Sequence, residues 1–192
     1  GGSGSGKSSV VRAGLLPRVR RGGVAGSERW FVAAMVPGAS PFKELAETLR
    51  RVAVVEAGDG LAEELAASEM GIDRVLRRLL PEDGEVLLVV DQLEELFTLA
   101  DEGEQRAFLD GLTDALSVED CRLRVVATLR ADFYDRPLRF ERFGAAVGDA
   151  TVPIAAMSAA ELEAAVVGPA ERVGGSVESI QETVTPKHGE LL

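Results

Sequence analysis

The chain has 192 residues, 46% apolar and 28% charged, with 32 acidic against 21 basic side chains and a formal net charge of −11. That is enough chain for one α/β domain with its own core, and too apolar a chain to stay disordered. The acidic balance argues against nucleic acid and anionic membrane as partners. No apolar run approaches the ~18 residues a membrane-spanning helix needs, and a lone Cys121 excludes an internal disulfide and suits a reducing cytoplasm.

Lys7 to about Arg20 reads as a helix that Pro17 should kink or end. Its arginines, Arg12 to Arg21, read as a solvated face. A glycine-rich loop leads to Trp30–Val36, a continuous apolar run expected to be a strand buried on both faces. Ser40-Pro41 is a helix start, and the helix should run from about Pro41 to Val55 with Phe42, Leu45, Ala46 and Leu49 on one face. Gly58-Asp59-Gly60 is a turn. Leu61–Ser68 and Ile72–Leu80 are helical, and Val86–Val90 is a second apolar strand ending at Asp91. Helices follow over Gln92–Leu99 and Glu104–Leu116, split near Gly103. Leu123–Leu129 is a third strand, Asp132–Phe143 a short helix and Thr151–Ile154 a short strand. Ser158–Val173 is an amphipathic helix with Ser158 as N-cap and Glu161 at the capping-box position. Strands alternating with helices imply a parallel sheet with helices on both faces. The pattern fades after Gly174-Gly175, so residues 1–173 form the expected core and 174–192 the start of another segment.

Three motifs carry chemistry. Gly1-Gly2-Ser3-Gly4-Ser5-Gly6-Lys7-Ser8-Ser9 fits the phosphate-binding P-loop pattern G-x-x-x-x-G-K-[ST]. Its glycines (Gly1, Gly4, Gly6) let backbone N–H groups of the loop, including those of Ser3, Ser5 and Ser9, close on a phosphate. Lys7 can reach the β- and γ-phosphates, and the Ser8 hydroxyl is placed for Mg²⁺. The plainer reading, a Gly/Ser linker, is opposed by the apolar-periodic Val10, Val11, Leu15 and Leu16 that follow. A P-loop normally sits between a strand and a helix, so the strand before Gly1 is missing and the chain reads as a piece of a longer protein. The second motif, Val86 to Phe97, is an apolar strand ending in an acid. Asp91 would share Mg²⁺ with Ser8, and Glu94 or Glu95 could orient or deprotonate an attacking water. Alternatively both glutamates simply favour the first turn of a helix. The third, Val125 to Arg130, sets Thr128 and Arg130 at a strand tip. There Arg130 could sense a γ-phosphate, or merely cap the strand through Asp132 or Asp135.

Taken together these strings resemble the STAND NTPases, the signal-transduction ATPases with numerous domains, and above all the bacterial novel STAND group often fused to WD-repeat propellers. The likeness rests on residues 4–9, Ala13-Gly14-Leu15-Leu16-Pro17, Val36-Pro37-Gly38, Asp91-Gln92-Leu93-Glu94-Glu95-Leu96-Phe97, Ala127-Thr128-Leu129-Arg130-Ala131-Asp132-Phe133-Tyr134 and Gly168-Pro169-Ala170. It implies an ASCE-type P-loop fold with the sensor strand between the P-loop strand and the strand ending in Asp91. It implies ATP or ADP with Mg²⁺: Lys7 and Ser8 on phosphate and metal, Asp91 on the metal, Glu94 or Glu95 on water, Arg130 on the γ-phosphate. It also implies a slow ATPase switch, with an effector and a repeat sensor attached in cis and ATP-dependent homo-oligomers. The other reading of the same residues is a nucleotide-holding oligomerisation scaffold with little hydrolysis. A motor acting on nucleic acid is disfavoured by the charge.

Overall fold

The computed structural model describes residues 6–67 and 70–155, together with Ser158, Ala160, Glu161, Ala164, Val167 and Gly168. The chain divides into two compact units, Gly1–Ala156 and Met157–Leu192.

The first unit is built on three parallel strands, β1 (Trp30–Met35), β2 (Glu85–Val90) and β3 (Leu123–Ala127), in the order β1-β2-β3. Trp30 pairs with Glu85 and Met35 with Val90 on one side, and Val86 with Leu123 and Val90 with Ala127 on the other. β2 is the central strand and is buried on both faces, as its unbroken apolar run predicts. Val86, Leu88 and Val90 enter the larger core, beneath helices α3 (Pro41–Arg50), α4 (Leu61–Ala66), α5 (Gly71–Leu79) and α7 (Glu102–Leu116). Leu87 and Val89 enter a smaller core with Val11, Leu16 and Val19. Helices therefore cover both faces of the sheet, and β3 lies beside β2 as the family resemblance implies. β1 and β3, by contrast, flank β2 on its two sides and are only partly buried. Ala34, Arg124 and Ala127 are exposed, so the expectation of two-faced burial fails for β1.

Pro17 does not end the first helix. Helical backbone continues from α1 (Lys7–Ser9) through a π-helical stretch, Val10–Leu15, into α2 (Leu16–Arg20). In that stretch the Leu16 N–H donates to the Val11 carbonyl, five residues back. The wide turn opens the backbone just ahead of Pro17, whose ring would strike a carbonyl in a regular helix.

Elsewhere the boundaries move for local reasons. α3 stops at Arg50 rather than Val55, and Val54 and Val55 are exposed. The break between α6 (Glu94–Leu99) and α7 falls at Asp101, not Gly103, because the Asp101 carboxylate caps α7 by accepting from the Glu104 N–H at 2.9 Å. Instead of one helix over Asp132–Phe143 there are two 3₁₀ turns, Ala131–Phe133 and Pro137–Arg139, followed by α8 (Glu141–Ala150). Thr151–Ile154 pairs with no strand among the described residues. Pro153 lacks an N–H for a ladder, and Val152 is 76% exposed, so no sheet face buries it. Within the second unit Ser158 and Glu161 form the predicted capping box: the Glu161 N–H donates to the Ser158 hydroxyl at 3.3 Å, and the Ser158 N–H to the Glu161 carboxylate at 2.8 Å.

Gly71 is fixed by space. A Cβ there would lie 2.5 Å from the Leu65 carbonyl oxygen and 2.9 Å from that of Glu64. Gly71→Ala is expected to cost about 1–3 kcal/mol, the range for forcing a methyl into packed backbone. A urea unfolding curve with a lowered midpoint and unchanged slope is the readout, and an unshifted midpoint would mean that α4 and α5 move apart freely.

Candidate functional site

The three motifs meet at the C-terminal ends of the strands. Gly6 opens the first helix from the left-handed region, φ 80°. A side chain there would be strained, so glycine is the residue that can make this turn. Its carbonyl accepts from the Val10 N–H at 2.8 Å, and Lys7, Ser8 and Ser9 follow as the first helical residues. Gly1, Ser3, Gly4 and Ser5 lie outside the described residues.

Asp91, one residue past β2, is the centre of the cluster, and its side chain is only 4% exposed. Its Oδ1 accepts from the Ser8 hydroxyl at 2.6 Å and from the Thr128 hydroxyl at 2.6 Å. Its Oδ2 accepts from the Arg12 guanidinium at 2.8 Å. Burial alone would raise its pKa. The Ser8 and Thr128 hydrogen bonds and the Arg12 charge outweigh burial and hold it below the ordinary 3.8, so the group is ionised at neutral pH. Ser8 and Asp91 thus present a hydroxyl and a carboxylate in direct contact. Both are hard oxygen donors, the type that suits Mg²⁺ shared with phosphate oxygens. Among the described residues no group of three or more His, Cys, Asp or Glu side chains could hold a metal by itself.

Thr128 binds the loop after β2 at two points. Its hydroxyl accepts from the Gln92 N–H at 2.9 Å, and its carbonyl from the Leu93 N–H at 2.9 Å. These bonds hold Gln92 at φ 55°, the one positive φ outside glycine among the described residues. Such backbone in a non-glycine residue costs free energy and is retained where the surroundings impose it.

Glu94 turns toward the sensor loop, where its carboxylate accepts from the Arg130 backbone N–H at 3.3 Å. Glu95 is half-buried in the first turn of α6. The Arg130 guanidinium forks onto the Asp132 carboxylate, Nε to Oδ1 at 3.1 Å and Nη2 to Oδ2 at 2.6 Å, and lies over the Phe133 ring. Asp135 pairs with Arg139 instead. The bond to Arg130 is the main cause that lowers the Asp132 pKa, and the charge of Lys7 also contributes. Lys7, Arg130, Asp132 and Glu94 therefore share one electrostatic neighbourhood beside the Ser8–Asp91 contact.

Two residues of the cluster escape a sequence reading. Arg12 belongs to a basic stretch that reads as a solvated face, yet it is bonded to Asp91. Its spacing of four from Ser8, which puts both on one helix face, is the signal that could have found it. Nothing in the sequence marks the left-handed backbone at Gln92.

A family model described as Novel STAND NTPase 1 matches residues 1–188 of the chain. No curated protein and no solved structure matches it.

Proposed function

The chain belongs to the novel STAND NTPases, and on that premise we propose that it is an ATP-binding and ATP-hydrolysing switch whose nucleotide state gates an attached effector. The observation behind this reading is the convergence of Ser8, Asp91 and Thr128 through two 2.6 Å hydrogen bonds, with Lys7 and Arg130 alongside. Gly1, Ser3, Gly4, Ser5, Gly6 and Ser9 would surround the phosphates with backbone N–H groups, and Lys7 would lie against the β- and γ-phosphates. Mg²⁺ would be held by Ser8 and Asp91, and when bound it neutralises charge on the phosphate oxygens. Thr128 keeps Asp91 oriented. Glu94, already turned toward the Arg130 loop, is the better placed of the two glutamates to take a proton from water. Arg130 would exchange Asp132 for the γ-phosphate. That exchange is inexpensive, because the side chains of Arg130 and Asp132 are 39% and 54% exposed and exposed ion pairs contribute little.

The NTPase core would occupy residues 1–173, with the next segment starting at 174. Effector and repeat sensor domains in cis, and ATP-dependent homo-oligomers, are the partners the reading calls for. Among the described residues no helix is long and apolar enough to cross a membrane. A second reading, a nucleotide-holding scaffold with negligible hydrolysis, draws on the fact that the Glu94 carboxylate is engaged by the Arg130 backbone N–H and the Arg130 guanidinium by Asp132.

One assay separates them. Nucleotide extracted from the natively purified protein is identified, and turnover of ATP and GTP is then measured. ADP retained with slow, magnesium-dependent ATP turnover is expected. Glu94→Gln should lower turnover about a hundredfold, the range for losing a general base, with a smaller effect for Glu95→Gln. Turnover indifferent to both substitutions would favour the scaffold.

A further inference from the structure

Asp91 already holds a cation, and that cation is part of the chain. Of its two oxygens, Oδ1 is taken by the hydroxyls of Ser8 and Thr128 and Oδ2 by Arg12. The pair is lopsided: the side chain of Asp91 is 4% exposed and that of Arg12 65% exposed. The carboxylate is fixed, while the guanidinium reaches in from solvent and can leave without disturbing the core. We propose that Arg12 is a resident counter-ion of the metal site, which must give up Asp91 before a divalent cation can bind. Free cation is thereby turned away, and metal enters only together with nucleotide phosphates.

Charge decides the order of events. A buried carboxylate without a partner is costly, so in the nucleotide-free protein Arg12 stabilises Asp91. A divalent ion arriving alone would face Asp91 with a competing guanidinium on it, and among the described residues no group of three or more His, Cys, Asp or Glu side chains could hold it. A guanidinium and a divalent cation on the same carboxylate repel across a few ångströms. Triphosphate brings several negative charges of its own, which reverses the balance and releases Arg12. The sequence supplies the geometry: Arg12 lies four positions after Ser8, so one helical face delivers both the metal-side hydroxyl and the competing cation to Asp91. This inference rests on the metal-site reading above, and its test is arranged so that the two can fail separately.

The test is binding of Mn²⁺ alone to nucleotide-free protein, followed by the electron paramagnetic resonance signal of the free ion. Arg12→Gln is expected to bind Mn²⁺ about three- to tenfold more tightly than the parent, the range for losing a charge-assisted bond with one exposed partner. The gain should vanish in Arg12→Gln/Asp91→Asn, and Arg12→Lys, which keeps the charge, should stay near the parent. Equal affinity in the parent and Arg12→Gln overturns the proposal. So does a loss of Mn²⁺·ADP binding in Arg12→Gln with no gain for free Mn²⁺, which would make Arg12 a phosphate ligand. Mn²⁺·ADP binding to Asp91→Asn tests the premise separately. A weakening upholds the metal site whatever Arg12 does, and no change overturns the metal site and the proposal with it. Arg12 is exposed, so its single variants should fold; Asp91 is buried, and thermal unfolding of every variant, Asp91→Asn included, verifies that each is folded before binding is compared.

Discussion

Lys7→Ala should lower the affinity for Mg·ATP by about a hundredfold, the scale for removing one partner of a desolvated charge pair, and leave the fold intact. Lys7 directly follows the left-handed Gly6 and is half-buried. Its charge helps to lower the Asp132 pKa, and the next residue, Ser8, donates to Asp91. A phosphate bound there would otherwise depend on backbone N–H groups and the metal alone, and the compact ammonium supplies charge that those dipoles do not. Titration calorimetry with parent, Lys7→Ala and Lys7→Arg gives the answer. The arginine variant restores the charge with a different shape and should recover only part of the affinity. Equal affinity in all three would remove the P-loop from the account of this protein.

Phe108→Ala should cost about 3–5 kcal/mol, the range for truncating a buried aromatic side chain. Phe108 is 0% exposed on α7 and meets Phe42 of α3 edge to face, ring centroids 5.6 Å apart at 81°. It lies in the larger core, which also holds Leu88 and Val90 of the strand that leads to Asp91. The change removes a large apolar surface, an aromatic pair and the volume that keeps α3 and α7 spaced. Against a total stability of about 5–15 kcal/mol for a typical domain, that is a large fraction. Equilibrium urea unfolding is the measurement, with Phe108→Leu as a milder companion. A cost under about 1 kcal/mol would mean that the surrounding side chains collapse into the space.

Legibility differed from place to place for physical reasons. β2 was plain because a run of Val and Leu ending in Asp has few other uses, and helices on both sides bury each of its faces. The meeting of Ser8, Asp91 and Thr128 followed from topology, since parallel strands deliver their C-terminal ends to one edge. Boundaries were harder. Asp101 and Gly103 are both helix-boundary signals, and only the carboxylate's hydrogen bond decides between them. Pro137 should have divided the helix expected over Asp132–Phe143, as its ring does in the structure. Pro17 did not, because a π turn precedes it. Pairwise electrostatics was the least legible layer: Arg12 reaches Asp91 across 79 positions of sequence, and in a row of arginines only its spacing of four from Ser8 sets apart the one that bonds to it.

The all-parallel register has a consequence for how the chain reaches this state. Neither strand pair is a hairpin, because each joins segments separated by helical crossovers. The entropy of closing those long connections must be lost before any ladder bond repays it. Local pieces such as α5 and α7 can form early, while β1, β2 and β3 align late. Until then the Val- and Leu-rich β2 has neither its strand partners nor its helical cover. The alignment of the sheet is therefore also the interval of greatest exposure to aggregation, and Asp91, at the end of β2, gains its bond from Thr128 only once β3 has joined.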